Sequence, residues 1–410
     1  MTSLPGPWVA PQTVPRDLLR SPRRGNTLFT VLVSLAMLVG AAVMAFVLLV
    51  SNAPAALAIG VVLAALPVGP VIACFLWLDR YEPEPVRLLA TAFGWGALVA
   101  TAIALTLQTV DQTVLRTPSS TLGAIVAPVT EEGAKGLFIV LLMLWSRRRV
   151  IDGVLDGIVY AGLVGVGFAF TENILYLGGA YMGQQGASGG LGSATALFVV
   201  RGIFSPFAHP LFTSFTGIGV GIAVVTKSRL WRVLAPLLGY VAAVIAHGSW
   251  NASASIAGGQ MFVLTYLFAM VPAFLLLAGF ALWARHREGR MLTRSLTDAA
   301  DRGLIDAAEV PWLVRLPARR ASRTFARRHG GPVAERIMRE YQQQAIELGF
   351  LHNRYLRGTA PPDFSQRGAA MVQRLHALRP YVGFPQPPQR AAATWQAGRQ
   401  RPAHDRQRPW

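Results

Sequence analysis

The sequence predicts an all-α polytopic membrane protein: a bundle of about eight transmembrane helices followed by a small helical, partly disordered cytoplasmic tail. Its 410 residues are 53% hydrophobic and only 14% charged, whereas soluble domains carry roughly a quarter charged residues. The hydrophobic residues also fall into runs of about 20, the helix length that a bilayer core of about 30 Å requires. A soluble enzyme is therefore excluded as the fold class.

Eight hydrophobic segments are candidate spans. The first is longer than the apolar region of a secretory signal and is preceded by 27 residues, so we expect it to be a retained anchor. The segments cover residues 28–50, 55–78, 88–110, 121–145, 152–177, 196–226, 231–255 and 261–283.

Basic residues flank these spans unevenly. With the N-terminus assigned to the cytoplasm, fifteen Lys and Arg residues lie on the cytoplasmic side and only Arg116 lies on the other. Because positive charge marks cytoplasmic loops, the sequence predicts a multi-pass protein of the cell membrane with both termini in the cytoplasm. We expect four regions: an N-terminal segment (1–27), a membrane domain (28–283), a basic helical tail (284–357) and a disordered tail (358–410).

The tail carries most of the positive charge. Residues 284–410 hold 23 Lys and Arg residues against 10 Asp and Glu. Apolar residues at three- and four-residue spacing predict short amphipathic helices up to residue 357, and the Pro, Gln and Arg content beyond predicts disorder. Such a tail can bind anionic lipid headgroups. No nucleic-acid-binding module is recognisable, so we expect no nucleic-acid partner.

Ionisable residues within the spans indicate function, because charge inside a bilayer is costly. Counted from the outer span ends at 1.5 Å per residue, they lie in the outer half or near the midplane. We expect four helices to bring them to one polar site. They are Glu131, Glu132 and Lys135 in the fourth span, Glu172 in the fifth, His209 in the sixth and His247 in the seventh. The seventh span also contributes the polar but neutral Asn251.

The spacing of these residues supports a shared site. Glu131 and Lys135 lie one helical turn apart, as do His247 and Asn251, so each pair shares a helix face. Phe168 and Glu172 share a face in the same way. Adjacent carboxylates such as Glu131 and Glu132 repel each other, and one must hold a proton or bind a cation, a state expected at working sites.

Structural interpretations of the same residues stay open. Lys135 could form a purely structural ion pair, and each histidine could be a packed hydrogen-bonding group. Phe168 fits core packing, Asn251 could join two helices, and Arg201 is expected to extend towards the headgroups.

Two functions other than catalysis also remain possible for these residues. A proton-coupled transporter or channel could use the same carboxylates, although the inverted repeats and broken helices typical of transporters are not visible in the sequence. The second is a catalytically inactive membrane scaffold.

The motifs together resemble those of the PrsW-type intramembrane proteases, which look like distant relatives of the CAAX prenyl proteases. EEGAK at 131–135 is similar to the family's EExxK motif, and FAFTE at 168–172 to its FxxxE motif. SPFAH at 205–209 and HGSWN at 247–251 complete the set, with Asn251 standing where Asp is often found. The resemblance covers roughly residues 79–252, including the DRYEPEP turn, and leaves the tail unmatched.

The resemblance implies a bacterial membrane enzyme that hydrolyses peptide bonds. It implies single-span membrane proteins as substrates, in regulated intramembrane proteolysis, with anti-sigma factors as the class by analogy. Glu131 or Glu132 suits the general base that activates water. Glu172 and His209 could orient that water, and His247 and Asn251 suit donors to the oxyanion.

Two mechanisms remain open for this chemistry. Zinc could be held by Glu172, His209 and His247, because zinc accepts imidazole and carboxylate ligands. A metal-free glutamate mechanism would need no cofactor. No HExxH motif is present, so the usual helix-borne zinc signature is absent.

Overall fold

The structure, a computed structural model, describes residues 27–51, 53–145, 150–184, 188–255 and 260–385. All regular secondary structure within these ranges is helical, as predicted. The chain divides into two compact units, a membrane unit (residues 23–288) and a tail unit that begins at Gly289. The expected N-terminal segment lies outside the described residues up to residue 26.

Nine helices longer than eight residues build the membrane unit within the described ranges. The last of them belongs to this unit up to Glu288. They are α1 (Thr27–Ser51), α2 (Pro54–Leu78), α3 (Val86–Leu115), α4 (Ala127–Trp145), α5 (Val154–Tyr181), α6 (Gly190–Phe198), α7 (Ala208–Val225), α8 (Arg229–Ser255) and α9 (Gln260–Asp301).

Seven helical segments of the described chain are long and apolar enough to cross a membrane, which confirms the polytopic bundle. The sequence predicted about eight. The difference is α4, which takes the place of the fourth predicted span and carries three charged residues, Glu131, Glu132 and Lys135. Its polar groups require protein neighbours rather than lipid, because lipid cannot solvate them.

Helix α5 is the centre of the membrane unit. It is buried along most of its length and packs against α2, α3 and α7. The approach of α7 is close enough to require glycine on both helices: a Cβ built on Gly217 would lie 2.1 Å from the carbonyl oxygen of Gly157. Small residues are a common means of bringing membrane helices together. This packing holds the polar faces of α5 and α7 side by side.

The sixth predicted span is not one continuous helix. A π-helical turn, Val199–Phe204, follows α6, and the chain leaves helical geometry at Ser205 before α7 begins at Ala208. Pro206 cannot donate a backbone hydrogen bond, which favours a break here. Irregular backbone at membrane depth is tolerated where it lines a cavity, and Ser205 and Pro206 do so. The break places His209 in the first turn of α7.

The turn between α2 and α3 is an acidic cluster outside the spans. The backbone N–H of Glu84 donates to Asp79 Oδ2 at 2.8 Å, and the hydroxyl of Tyr160 on α5 donates to Glu84 Oε2 at 2.8 Å. Burial raises the pKa of Asp79 to about 7, and burial together with nearby carboxylates raises the pKa of Glu84. The DRYEPEP segment is therefore a folded turn anchored to the central helix.

The tail unit has a hydrophobic core of its own. Its helices are the C-terminal part of α9, α10 (Val310–Val314), α11 (Leu316–Leu356) and α12 (Phe364–Leu378). Leu296, Leu313 and Met338 are fully buried in this core. Helix α11 is interrupted at Gly331, whose φ of 70° is a conformation that glycine adopts readily.

The expectation of disorder from residue 358 is wrong for the described part of that region. Helix α12 lies within it, and Met371, Leu375 and Leu378 enter the core of the tail unit. Their three- and four-residue spacing gives one buried face, a pattern hidden in the sequence by the surrounding Pro, Gln and Arg residues. Residues 386–410 lie outside the described chain.

Candidate active site

Most of the predicted site residues converge in the membrane unit. Four helices contribute them: α4, α5, α7 and α8. Six of the predicted site residues are ionisable, and all six are buried except Glu172, which is partly buried. They are Glu131, Glu132, Lys135, Glu172, His209 and His247.

The ammonium of Lys135 lies at the middle of this cluster and is fully buried. Its Nζ atom is 2.8 Å from Glu132 Oε1, 3.5 Å from Glu131 Oε2 and 3.1 Å from His209 Nδ1. It also lies 3.7 Å from the centre of the Phe168 ring, a cation–π contact that strengthens when water is excluded. Phe168 is thus buried core, as interpreted, and also supports the ammonium.

Glu132 has a hydrogen-bond partner on each carboxylate oxygen. Its Oε1 accepts from Lys135 at 2.8 Å and is 3.0 Å from His247 Nδ1, while its Oε2 accepts from the hydroxyl of Thr213 at 3.0 Å. The residue is fully buried. It therefore joins α4 to α7 and α8.

Glu131 differs from its neighbour. Its Oε1 accepts from the amide of Gln108 on α3 at 3.2 Å, but its Oε2 is buried without a hydrogen-bond partner in the described structure. That oxygen lies 3.8 Å from His247 Nε2. Oε2 also lies 3.5 Å from Lys135 Nζ, and because buried polar atoms are nearly always satisfied, it has the capacity to bond a further group.

The hydrogen bonds assign the protons of the two imidazoles. His247 Nδ1 carries a proton and donates it to Glu132, which leaves Nε2 facing Glu131. His209 Nδ1 accepts from Lys135, so its Nε2 carries the proton and donates to Glu172 Oε2 at 2.8 Å. Both nitrogens of His209 are therefore bonded within the protein. One ring nitrogen of His247 remains available.

Arg201 is part of this network, and its expected extension to the headgroups is wrong. Its guanidinium forms an ion pair with Glu172 Oε2, and its Nε donates to Asn173 Oδ1 at 2.6 Å. A carboxylate inside the protein competes with the headgroups for the guanidinium, and the paired geometry satisfies both charges.

Asn251 is held apart from His247. Its amide nitrogen donates to the carbonyl oxygen of Gly123, in the helical turn before α4, at 3.0 Å. The side chain borders a large cavity. Of the predicted site residues, it is the one whose described hydrogen bond leads away from the cluster.

A cavity of about 1160 Å³ opens beside the cluster. Glu131, Glu172 and His209 line it, while Glu132, Lys135 and His247 lie behind them. Its volume exceeds the roughly 300–1,000 Å³ of ordinary small-molecule pockets. Glu131 is the member of the acidic doublet that borders this cavity.

Three side chains of the site could act as ligands of a metal ion. Glu131, His209 and His247 each place one ligand atom within 4.8 Å of the others, and zinc accepts these donor types. Glu131, rather than Glu172, is thus grouped with the two histidines. His209, however, bonds through both nitrogens, to Lys135 and to Glu172. Catalytic zinc sites use three protein ligands, so His209 would have to give up one of these hydrogen bonds to act as the third.

Several contributors to the site were not among the residues predicted from the sequence. Gln108 and Thr213 are polar residues within spans and donate to the two carboxylates. Threonine is common in membrane helices, where its hydroxyl can bond to its own backbone, so only tertiary packing reveals its partner. Arg201 is the third of these contributors, and its charge within a predicted span was the one sequence feature that could have indicated a place in the site.

Comparison with known proteins identifies this region. Residues 84–277 match the model of the family described as PrsW family intramembrane metalloprotease. This part of the chain is similar to the PrsW family. Every predicted site residue lies within this range, whereas the tail unit lies outside it.

Two relatives, both called Protease PrsW, support the assignment. The chain is 25% identical over 192 residues to the protein of Bacillus subtilis, covering 47% of this chain and 81% of the relative. It is 29% identical over 167 residues to the protein of Geobacillus kaustophilus, covering 39% and 67%. No solved structure matches. The chain is an intramembrane peptidase similar to these proteases, which favours the protease interpretation over the transporter and scaffold.

The different bonding of the two adjacent glutamates predicts different effects on stability. Glu132→Gln removes the carboxylate that compensates the buried Lys135 ammonium, and breaking a buried ion pair typically costs about 3–5 kcal/mol. We therefore expect a clearly lower unfolding temperature in detergent, measured by intrinsic fluorescence. Glu131→Gln, which loses only the longer, 3.5 Å ion pair with Lys135, is the matched control and should unfold closer to wild type. Equal destabilisation by both substitutions would contradict this assignment.

Proposed function

We propose that this PrsW-family chain hydrolyses peptide bonds of membrane-protein substrates with Glu131 as the general base. The observation that supports this role is Glu131 Oε2, a buried oxygen without a hydrogen-bond partner at the wall of the cavity. A general base needs a free lone pair within reach of the proton it takes. Glu132 has none, because Lys135, His247 and Thr213 occupy its oxygens.

The nucleophilic water is proposed to lie between Glu131 Oε2 and His247 Nε2. These atoms are 3.8 Å apart, and one water can contact both at an ordinary hydrogen-bond distance of about 2.8 Å. Glu131 takes a proton from this water as the oxygen of the water bonds to the substrate carbonyl carbon. The same proton then passes from Glu131 to the leaving nitrogen as the C–N bond breaks.

His247 is proposed to act on the oxyanion through Nε2. Glu132 accepts the Nδ1 proton of His247 and so holds the ring in one orientation, as an aspartate does in a Ser-His-Asp triad. With a proton on Nε2, this nitrogen donates to the developing negative charge. Asn251 uses one amide proton on Gly123, and its second can donate to a carbonyl of the bound segment.

Glu172 and His209 are proposed to position the site rather than to hold a metal. Both nitrogens of His209 are bonded, to Lys135 and to Glu172. This bonding supports the metal-free glutamate mechanism over a zinc site built from Glu172, His209 and His247. The carboxylate of Glu172 accepts a hydrogen bond from His209 and pairs with Arg201, and it thereby holds the His209 ring in place.

The proposed substrates are single-span membrane proteins, with anti-sigma factors as the class that the family resemblance implies. The basic flanks of the spans support an orientation with both termini in the cytoplasm. In that orientation Gln112 and Gln184, which border the cavity, lie at its outer side. The tail unit exposes Arg320, Arg327 and Arg328, which supports binding to anionic lipid headgroups.

Cleavage of a panel of single-span membrane proteins by the purified chain tests the proposal. Wild type should yield product, and Glu131→Gln and His247→Ala should each lose about 10²-fold or more, the usual contribution of a base or an oxyanion donor. Glu335→Gln, a carboxylate change in the tail unit, is the control and should cleave like wild type. Equal cleavage by all four proteins would show that the site is elsewhere.

Removal of metal separates the two mechanisms. After chelation and dialysis, with zinc content verified by elemental analysis, we expect the wild-type chain to cleave at its original rate, because Glu131 and His247 suffice without metal. Inactivation by chelation that added zinc reverses would overturn the metal-free mechanism. It would also show that His209 or another group releases a partner to become the third ligand.

A further inference from the structure

Arg201 occupies an unusual place in the membrane unit. It lies in the π-helical turn Val199–Phe204, immediately before the break in the sixth span. Its side chain is 22% exposed and borders the cavity. A guanidinium at this depth costs free energy unless it is paired, and nothing in the chemistry proposed above uses its charge directly.

Three residues of α5 hold the guanidinium. Glu172 pairs with Nη2, Asn173 accepts from Nε at 2.6 Å, and the ring of Tyr176 lies 4.1 Å from the guanidinium carbon. These contacts use the donors and the flat face of the group, a combination that lysine cannot reproduce. The side chain therefore has a defined position on α5.

The contact with Glu172 connects Arg201 to the rest of the site. Glu172 Oε2 is shared between Arg201 and His209 Nε2. His209 Nδ1 in turn accepts from Lys135, and Lys135 donates to Glu132, which bonds to His247. A continuous chain of hydrogen bonds thus runs from Arg201 to the imidazole that faces Glu131.

We propose that Arg201 is a positioning residue of the active site. It fixes the Glu172 carboxylate on the side of His209, so that His209 stays bonded to Lys135 and the ammonium stays with Glu132. Without the guanidinium, Glu172 is a partly exposed anion free to turn into the cavity, and the orientation of His209 is no longer determined. This inference rests on the proposed protease function and adds to it a residue outside the EExxK, FxxxE and HxxxN motifs.

Chemical rescue tests this role, because Arg201 borders a cavity that small cations can enter. Arg201→Ala should lose about 10- to 100-fold in kcat, the scale of a charge-assisted hydrogen bond, with KM changed much less. Added guanidinium or methylguanidinium should restore part of the lost rate, and ammonium should restore less. Arg201→Lys should be intermediate. Arg116→Ala, another arginine of the membrane unit, is the control and should cleave like wild type.

The outcomes distinguish this inference from the function on which it rests. If wild type cleaves, Glu131→Gln does not, and Arg201→Ala cleaves like wild type, the positioning role is wrong and the protease proposal stands. If Arg201→Ala loses activity and guanidinium restores none of it, Arg201 is a folding residue and the inference is also overturned. Rescue of Arg201→Ala without rescue of Glu131→Gln would support it. Failure of wild type to cleave any substrate would count against the protease proposal itself.

Discussion

The buried ammonium of Lys135 is the charge on which the site depends. Two adjacent carboxylates in a membrane helix repel each other, and desolvation adds to the cost. Lys135 lies within 3.5 Å of both and also donates to His209, so one compact cation stabilises residues from two helices, α4 and α7. A larger guanidinium would have to fit between Glu132 and the Phe168 ring, where the ammonium lies 3.7 Å from the ring centre. This explains why a chain with many arginines uses one of its two lysines here.

Helix geometry then gives the two glutamates different environments. Consecutive residues point about 100° apart around an α-helix, because a turn contains 3.6 residues. Glu132 faces α7 and α8 and is saturated by Thr213, His247 and Lys135. Glu131 faces the cavity and the amide of Gln108, which fixes one oxygen, while the other has no hydrogen bond in the described structure and only a 3.5 Å ion pair with Lys135. One carboxylate is thus structural, and the other is available for chemistry.

The sequence predicted the convergence of the polar site because a charged residue within a span is costly and usually faces the interior of the helix bundle. Glu131, Glu132, Lys135, Glu172, His209 and His247 do lie together in the structure. The difference between the two glutamates could not be predicted, since it depends on which neighbouring helices face each one. The break before His209 was missed because its flanks are apolar, and the partner of Arg201 because headgroups and a buried carboxylate both satisfy a guanidinium. In the tail, the core-facing residues of α12 were hidden by a composition typical of disorder.

The central claim is that Glu131 activates water rather than attacking the substrate itself. The most direct test is a single turnover in water enriched in oxygen-18, followed by mass spectrometry of the product and of the Glu131 peptide. A general base leaves its own oxygens unchanged, so the account predicts one heavy oxygen in the new carboxyl group of the product and none in Glu131. An unlabelled product together with a labelled Glu131 would show a covalent acyl-enzyme intermediate and would contradict the account.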